Sequence, residues 1–200
     1  MQRIKQSIKK VTTNGAAKSR ALEIAIADVI RALGEDVQRE GLVDTPRRVA
    51  AAYEKMLEGY KLNPKELITT FDAVDYDEMI IVKDIEFYSM CEHHMFPFFG
   101  KAHIGYIPNG KIIGLSKIPR VVEIFSRRLQ NQERLTVEVA KTLESLIAPK
   151  GVGVVLEGKH LCMMARGVKK QGSTMLTSAM RGLFKKNMNT RGEFLKLIGK

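Results

Sequence analysis

The chain has 200 residues, 44% hydrophobic and 28% charged, which are the values of a folded globular domain long enough to bury a conventional core. No apolar run approaches the ~18 residues of a membrane span, and the first 22 residues, though free of acids, lack the apolar stretch of a secretory signal, so a cytoplasmic protein without membrane contact is expected. The formal charge of +11 invites a nucleic-acid partner, but Arg3, Lys5, Lys9, Lys10, Lys18 and Arg20 supply six of those charges and leave +5 for the remainder, so much of the excess reads as a basic, solvated, mobile tail over 1–22.

Residues 23–75 read as a helical region. Leu22, Ile26, Val29, Ile30 and Leu33 fall on one helical stripe that Gly34 stops. In "DTPRRVAAAYEKMLEGY", Thr45 is the expected N-cap, with Pro46 at the first helical position and Val49, Tyr53, Met56 and Tyr60 along one side. Around Asn63 and Pro64 the character changes.

From 76 to 200 the pattern is that of one α+β domain. "MIIVKDIEFYSM" and "FGKAHIGYIP" read as strands, and Pro108, Asn109 and Gly110 turn the chain into "KIIGL". "SKIPRVVEIFSRRL" is helical, burying Ile118, Val121, Val122, Phe125 and Leu129, and a second helix runs from Gln132 to Ala148. "GVGVVLEGKHLCMM" and "STMLTSAMRGLF" read as two more strands and "TRGEFLKLI" as a closing helix. Strands in pairs with two helices between them predict an antiparallel sheet with two packed helices rather than βαβ units.

Within this frame, "MCEHHMFPFFG" (Met90–Gly100) concentrates metal ligands and proton carriers in one turn. Cys91 and His94 have C-x-x-H spacing, which lets a tight turn aim both side chains at one ion. In "GVVLEGKHLCM", Gly158, His160 and Cys162 share a strand parity and so one face. Cys91, His94 and Cys162 then make a Zn2+ site with a fourth position open, the arrangement of catalytic rather than structural zinc, and zinc lowers the pKa of bound water to about 7. His93 and His160 remain as acid and base, whereas His103, with no cysteine near it, reads as a satisfied polar group.

Ser116 stands where an N-cap belongs, with Lys117 and Arg120 in the first turn that follows, against the helix dipole; they are either exposed basic residues or an anion site that Arg166 joins. Glu133 stabilises a helix start or accepts two parallel N–H bonds from a guanine edge.

"CEHH", "GLSKIPR", "QERLT", "HLCMMARG" and "NTRGEFL" resemble, in order and spacing, the signature segments of the GTP cyclohydrolase I family, and the similarity runs from about Asp44 to the C-terminus. The resemblance implies hydrolysis of GTP to 7,8-dihydroneopterin triphosphate and formate, the first step towards folate or pterin cofactors. It implies Cys91, His94 and Cys162 as zinc ligands, His160 as the acid that protonates guanine N7, His93 in later proton transfers, and Glu133 with Gln132 at the guanine edge. Ser116, Lys117, Arg120, Arg166 and Arg48 would form the triphosphate site, with Arg48 open to supply from another subunit. Also implied are the tunnelling fold and a homo-oligomer, a toroidal decamer with sites between subunits. Some members carry lysine at Ala51, which takes one triphosphate contact away here, and Asn131 replaces a usual valine.

Three rivals make different predictions. A zinc nucleobase deaminase predicts H-x-E followed by P-C-x-x-C, and neither occurs. A related pterin or deazapurine enzyme of the tunnelling fold would not be expected to keep all five segments. A basic nucleic-acid-binding protein with structural zinc needs a fourth protein ligand and binding that weakens steeply with salt.

Overall fold

The structure, a computed structural model, describes residues 15–200, and the chain divides into two compact units, 1–55 and 56–200. Of the expected basic tail, residues 1–14 lie outside the described residues, and 15–22 open the first helix, α1 (Gly15–Ala32). This helix stops as expected: Gly34 takes φ +86°, and the N–H groups of Leu33 and Gly34 turn back onto Val29 O and Arg31 O at 3.0 and 2.9 Å. The second helix, α2 (Thr45–Met56), differs at its start. Thr45 Oγ1 donates to Gly41 O at 3.4 Å, and the residue before it, Asp44, accepts Arg48 N–H through its carbonyl at 3.0 Å.

In the second unit a 3₁₀ turn (Glu58–Lys61) and a short helix, α3 (Pro64–Leu67), capped by Asn63 Oδ1 accepting Lys65 N–H at 3.1 Å, lead into the sheets. Strands β1 (Thr70–Asp72) and β4 (Lys111–Ile113) form a small antiparallel pair. The main sheet contains β2 (Ile80–Cys91), β3 (Pro97–Ile107), β5 (Leu129–Gln130), β6 (Gly151–His160) and β7 (Met175–Gly182), in the order β5-β2-β3-β6-β7. All pairings are antiparallel except β2 with β5, which covers only Met90–Leu129 and Cys91–Gln130. The α+β class with an antiparallel sheet is therefore as expected.

One face of the sheet is covered by α4 (Lys117–Ser126) and α5 (Gln132–Ile147), the two helices foreseen between the strand pairs. Ile118, Val121, Val122 and Phe125 of α4 and Leu135, Val139 and Leu143 of α5 are buried against Ile104, Tyr106, Val154 and Leu156. The other face is covered by two helices at the end of the chain, α7 (Leu183–Lys186) and α8 (Met188–Leu197), whose Phe184 and Phe194 rings lie 5.3 Å apart, edge to face. Their rings settle over two glycines of the sheet, beside Val155: a Cβ at Gly153 would meet Phe184 at 2.5 Å, and one at Gly105 would meet Phe194 at 2.8 Å. His103 has the satisfied role expected for it. It is buried on β3, its Nδ1 accepts Asp84 N–H at 3.2 Å, and its Nε2–H therefore donates to Glu157 Oε1 at 2.8 Å.

The strand directions give the sheet two distinct ends. At one lie the end of β2, the start of β3, the end of β6 and the start of β7, with β5 and the first turn of α5 beside them. At the other, Tyr106 Oη accepts Ile113 N–H at 3.1 Å, and α4 begins four residues after β4 ends. From Phe98 to Tyr106 along β3 the two ends stand roughly 25 Å apart at the usual strand rise.

Candidate metal centre and active site

β2 ends at Cys91, and the turn after it is closed twice: Cys91 N–H donates to Phe96 O and Met95 N–H to Cys91 O, each at 2.8 Å, with Met95 at φ +56°. A turn this tight puts His93 and His94 at its tip with rings 81° apart, the divergence expected of neighbours. His93 is exposed, its Nδ1 3.9 Å from Cys91 Sγ and its Nε2 3.9 Å from Glu92 Oε1. Cys162 arrives by a route that strand parity does not describe. β6 ends at His160, and the chain then coils into a short helix, α6 (Leu161–Met164), which carries Cys162 back towards the turn.

The result is a group in which one ligand atom each from Cys91, His94 and Cys162 lies within 4.8 Å of the others. Tetrahedral zinc with two sulfurs and a nitrogen needs separations of roughly 3.3–3.8 Å, so the donors stand about an ångström from closing on one ion. The chemistry of the set fits as well, because two thiols and an imidazole are soft and borderline ligands. Burial first, and then the hydrogen bond and charge of Cys91, push the Cys162 thiol up from its ordinary value. Two adjacent thiolates are unfavourable in the chain alone, and a dication between them reverses that balance. Arg166 already stands against the group, with Nη1 donating to His94 Nε2 at 2.9 Å.

His160 is held by a network that fixes its tautomer. Thr136 Oγ1 lies 2.6 Å from Gln132 O, which can only accept, so the Thr136 hydroxyl donates there and accepts from Thr177 Oγ1 at 2.7 Å. Thr177 Oγ1 must then accept from Gln132 Nε2, at 3.1 Å, as do Leu156 O at 3.1 Å and Met175 O at 3.0 Å. With the amide nitrogen so placed, Gln132 turns its Oε1 to His160, whose Nε2–H donates to it at 3.0 Å and leaves Nδ1 as the nitrogen that gains and loses a proton. The imidazole also stacks on Phe98 at 4.5 Å with 3° between the planes. Burial pushes the His160 pKa down, and the charge of Glu133 acts in the opposite sense.

Glu133 is exposed in the first turn of α5, close enough to act on His160. Gln132, expected beside it at a guanine edge, is instead fully buried, with both ends of its amide engaged by the chain itself. Cys91, His94, Cys162, His160, Glu133 and Arg166 thus share one end of the sheet. Ser116, Lys117 and Arg120 do not: they stand at the start of α4, at the other end. Ser116 occupies the N-cap position but makes no capping bond, its backbone being already helical at φ −67° and ψ −12°. Arg48 belongs to the first unit, where its Nη2 donates to Asp44 Oδ2 at 3.1 Å.

Three contributors escape a reading by motif. Phe98 looks like strand core, and Gly158 like one more strand residue, although a Cβ there would meet Gln132 Oε1 at 2.2 Å. Asn131, a departure from the family pattern, caps α5 by accepting Arg134 N–H at 2.8 Å; an asparagine directly before a helical run is the available signal.

A two-thiol, one-imidazole group able to hold a metal ion, beside a half-buried, oriented histidine, has the character of an enzyme site on an α+β sheet. The family model described as GTP cyclohydrolase I matches residues 22–199. GTP cyclohydrolase 1 of Methylococcus capsulatus is 54% identical over 181 residues, covering 90% of this chain and 97% of that protein, and GTP cyclohydrolase 1 of Chlorobium chlorochromatii is 56% identical over 180 residues, covering 90% and 81%. The chain belongs to the GTP cyclohydrolase I family of enzymes, and its fold is the tunnelling fold. A solved structure, the archaeosine synthase QueF-Like in the apo form, aligns at 17% identity and a TM-score of 0.44 over 52% of this chain and 93% of that chain, too remote a likeness to bear on function. Among the described residues no helix is long and apolar enough to cross a membrane.

Proposed function

We propose that the chain is a zinc-dependent cytoplasmic hydrolase, with its catalytic domain over 76–200, that opens the imidazole ring of GTP and yields formate and 7,8-dihydroneopterin triphosphate for folate or pterin synthesis. The observation that carries this reading is the meeting, at one end of the sheet, of the Cys91, His94 and Cys162 donors with a His160 locked in one tautomer. Zn2+ held by those three residues supplies Lewis acidity, which makes water nucleophilic near neutral pH.

The chain's own residues do the rest. His160, its Nε2–H committed to Gln132, delivers a proton from Nδ1 to guanine N7, and protonation there makes C8 electrophilic towards water. Water adds at C8, one ring carbon–nitrogen bond breaks with its nitrogen taking the proton, and C8 is left as a formamide; a second water hydrolyses that formamide, so that C8 leaves as formate and the nitrogen as an amine. His93, exposed at the tip of the turn, serves the later proton transfers that accompany sugar rearrangement and ring closure. Glu133 accepts N–H groups of the guanine edge, and Gln132 serves by orienting His160.

The triphosphate is assigned to Ser116, Lys117, Arg120, Arg166 and Arg48. A helix start whose first turn holds positive side chains and no acid suits an anion. Since that helix start lies at the end of the sheet away from the metal donors, the reading requires it to come from another copy of the chain, which supports a ring-shaped homo-oligomer, a toroidal decamer in the family.

Incubating metal-analysed protein with GTP tests the whole reading. Formate and an oxidisable, fluorescent pterin are expected together, lost on chelation and regained with zinc. Bound zinc with neither product would overturn the proposal and leave a basic nucleic-acid-binding protein with structural zinc as the better account.

A further inference from the structure

Glu92 lies between two residues of the site already described, and although His93 Nε2 stands 3.9 Å from its Oε1, its hydrogen bonds go elsewhere. It accepts from Arg134 Nη1 at 3.3 Å and from Arg134 Nη2, and Asn131 Nδ2 donates to its Oε1 at 3.1 Å. Its backbone N–H donates to Gln130 O at 3.0 Å. Arg134, in the first turn of α5, spends the rest of its fork on the same segment: Nε donates to Gln130 Oε1 at 2.8 Å and Nη2 to Leu129 O at 3.1 Å. Gln130 is buried and passes the connection on, its Nε2 donating to Glu138 Oε2 at 2.7 Å and to Phe125 O at 3.2 Å.

The two ends of this bridge matter because of what each carries. One is the turn bearing Cys91 and His94; the other is the helical turn whose Gln132 holds His160. We infer that Glu92 and Arg134 form a positioning pair, which sets the ligand turn and the first turn of α5 in one register so that the metal and the proton donor face the same reacting carbon. A planar guanidinium that is bidentate to a carboxylate fixes angle as well as distance, which an ammonium cannot do. The inference rests on Cys91, His94 and Cys162 being metal ligands.

The test uses the full-length chain with Co(II) alone as probe, read by the thiolate-to-cobalt charge-transfer band in the absence of GTP. The Glu92→Gln and Arg134→Met variants are each expected to bind Co(II) ten- to hundredfold more weakly than wild type, as loss of a residue supporting metal ligands does elsewhere. The double variant should lose no more than either single one, because each partner alone has nothing to hold. Arg134→Lys should resemble Arg134→Met. Unchanged Co(II) affinity in the single variants, or losses that multiply in the double, overturns the pair. A wild-type chain showing no cobalt–thiolate band overturns the metal reading itself, and the inference with it. Glu92→Gln keeps the shape of Glu92 and an acceptor for Asn131, so it carries the test by itself if Arg134→Met does not fold.

Discussion

Replacing His160 by alanine is expected to lower formate release from GTP by about 10²–10⁴-fold, the usual contribution of a positioned general acid, while leaving bound zinc unchanged. The separation of the two effects follows from the geometry. His160 is the last residue of β6, stacked on Phe98 and bonded to Gln132, whereas the three metal donors come from the turn after β2 and from α6. Removing the imidazole deletes a proton donor and leaves the metal donors in place. It also takes the hydrogen bond from a buried amide oxygen, at about 1–3 kcal/mol of stability, so a lower melting temperature is expected beside the lost activity. Zinc content, formate release and thermal melting measured on one preparation distinguish the outcomes. Undiminished formate release would remove His160 from the mechanism, and loss of zinc with the activity would make it part of the metal site.

Co-expressing His160→Ala with Lys117→Ala should restore activity that neither variant has alone. Lys117 stands at the start of α4, at the end of the sheet away from His160, so these two proposed contributors to one site stand apart within one chain, whereas Arg166 is already at the His160 end. If each site joins the metal end of one copy to the α4 end of another, random mixing leaves about a quarter of the sites with both ends intact, and formate release near that fraction of wild type is expected. Mixed oligomers no more active than the parents would mean that the two groups act within one chain or that Lys117 does not serve the substrate.

The residues that bear chemistry were easier to read in the sequence than the residues that orient them. Cys91, His94 and Cys162 announce themselves by type and spacing, and their donors do converge. The two helices over one sheet face follow from apolar periodicity, with Ile118, Val121, Val122 and Phe125 buried as expected. Strand parity failed just past His160, where the chain coils into α6: four residues of helix leave no periodic trace, and an alternating pattern continues across the boundary by chance. Gln132 was the harder case. In the sequence it is a polar residue beside an acid, and only the positions of Leu156 O, Met175 O and Thr177 Oγ1, far along the chain, show that its amide has one permitted orientation. Glu133 carries two compatible readings at once, because a carboxylate that stabilises a helix start is also exposed and able to accept from a ligand.

Gly158 touches no metal donor and sits in an ordinary strand, opposite Gly100 of β3, yet a single methyl group there would overlap Gln132 Oε1. To make room, the amide would have to leave His160 or the strand would have to leave its partner, and either movement disturbs the proton donor. A side chain at position 158 is therefore expected to displace the amide that orients His160, while position 158 performs no chemistry itself. In a scan of all single substitutions it is expected to lose activity alongside His160, the proposed proton donor, so a position's sensitivity to change in this fold does not by itself mark contact with substrate.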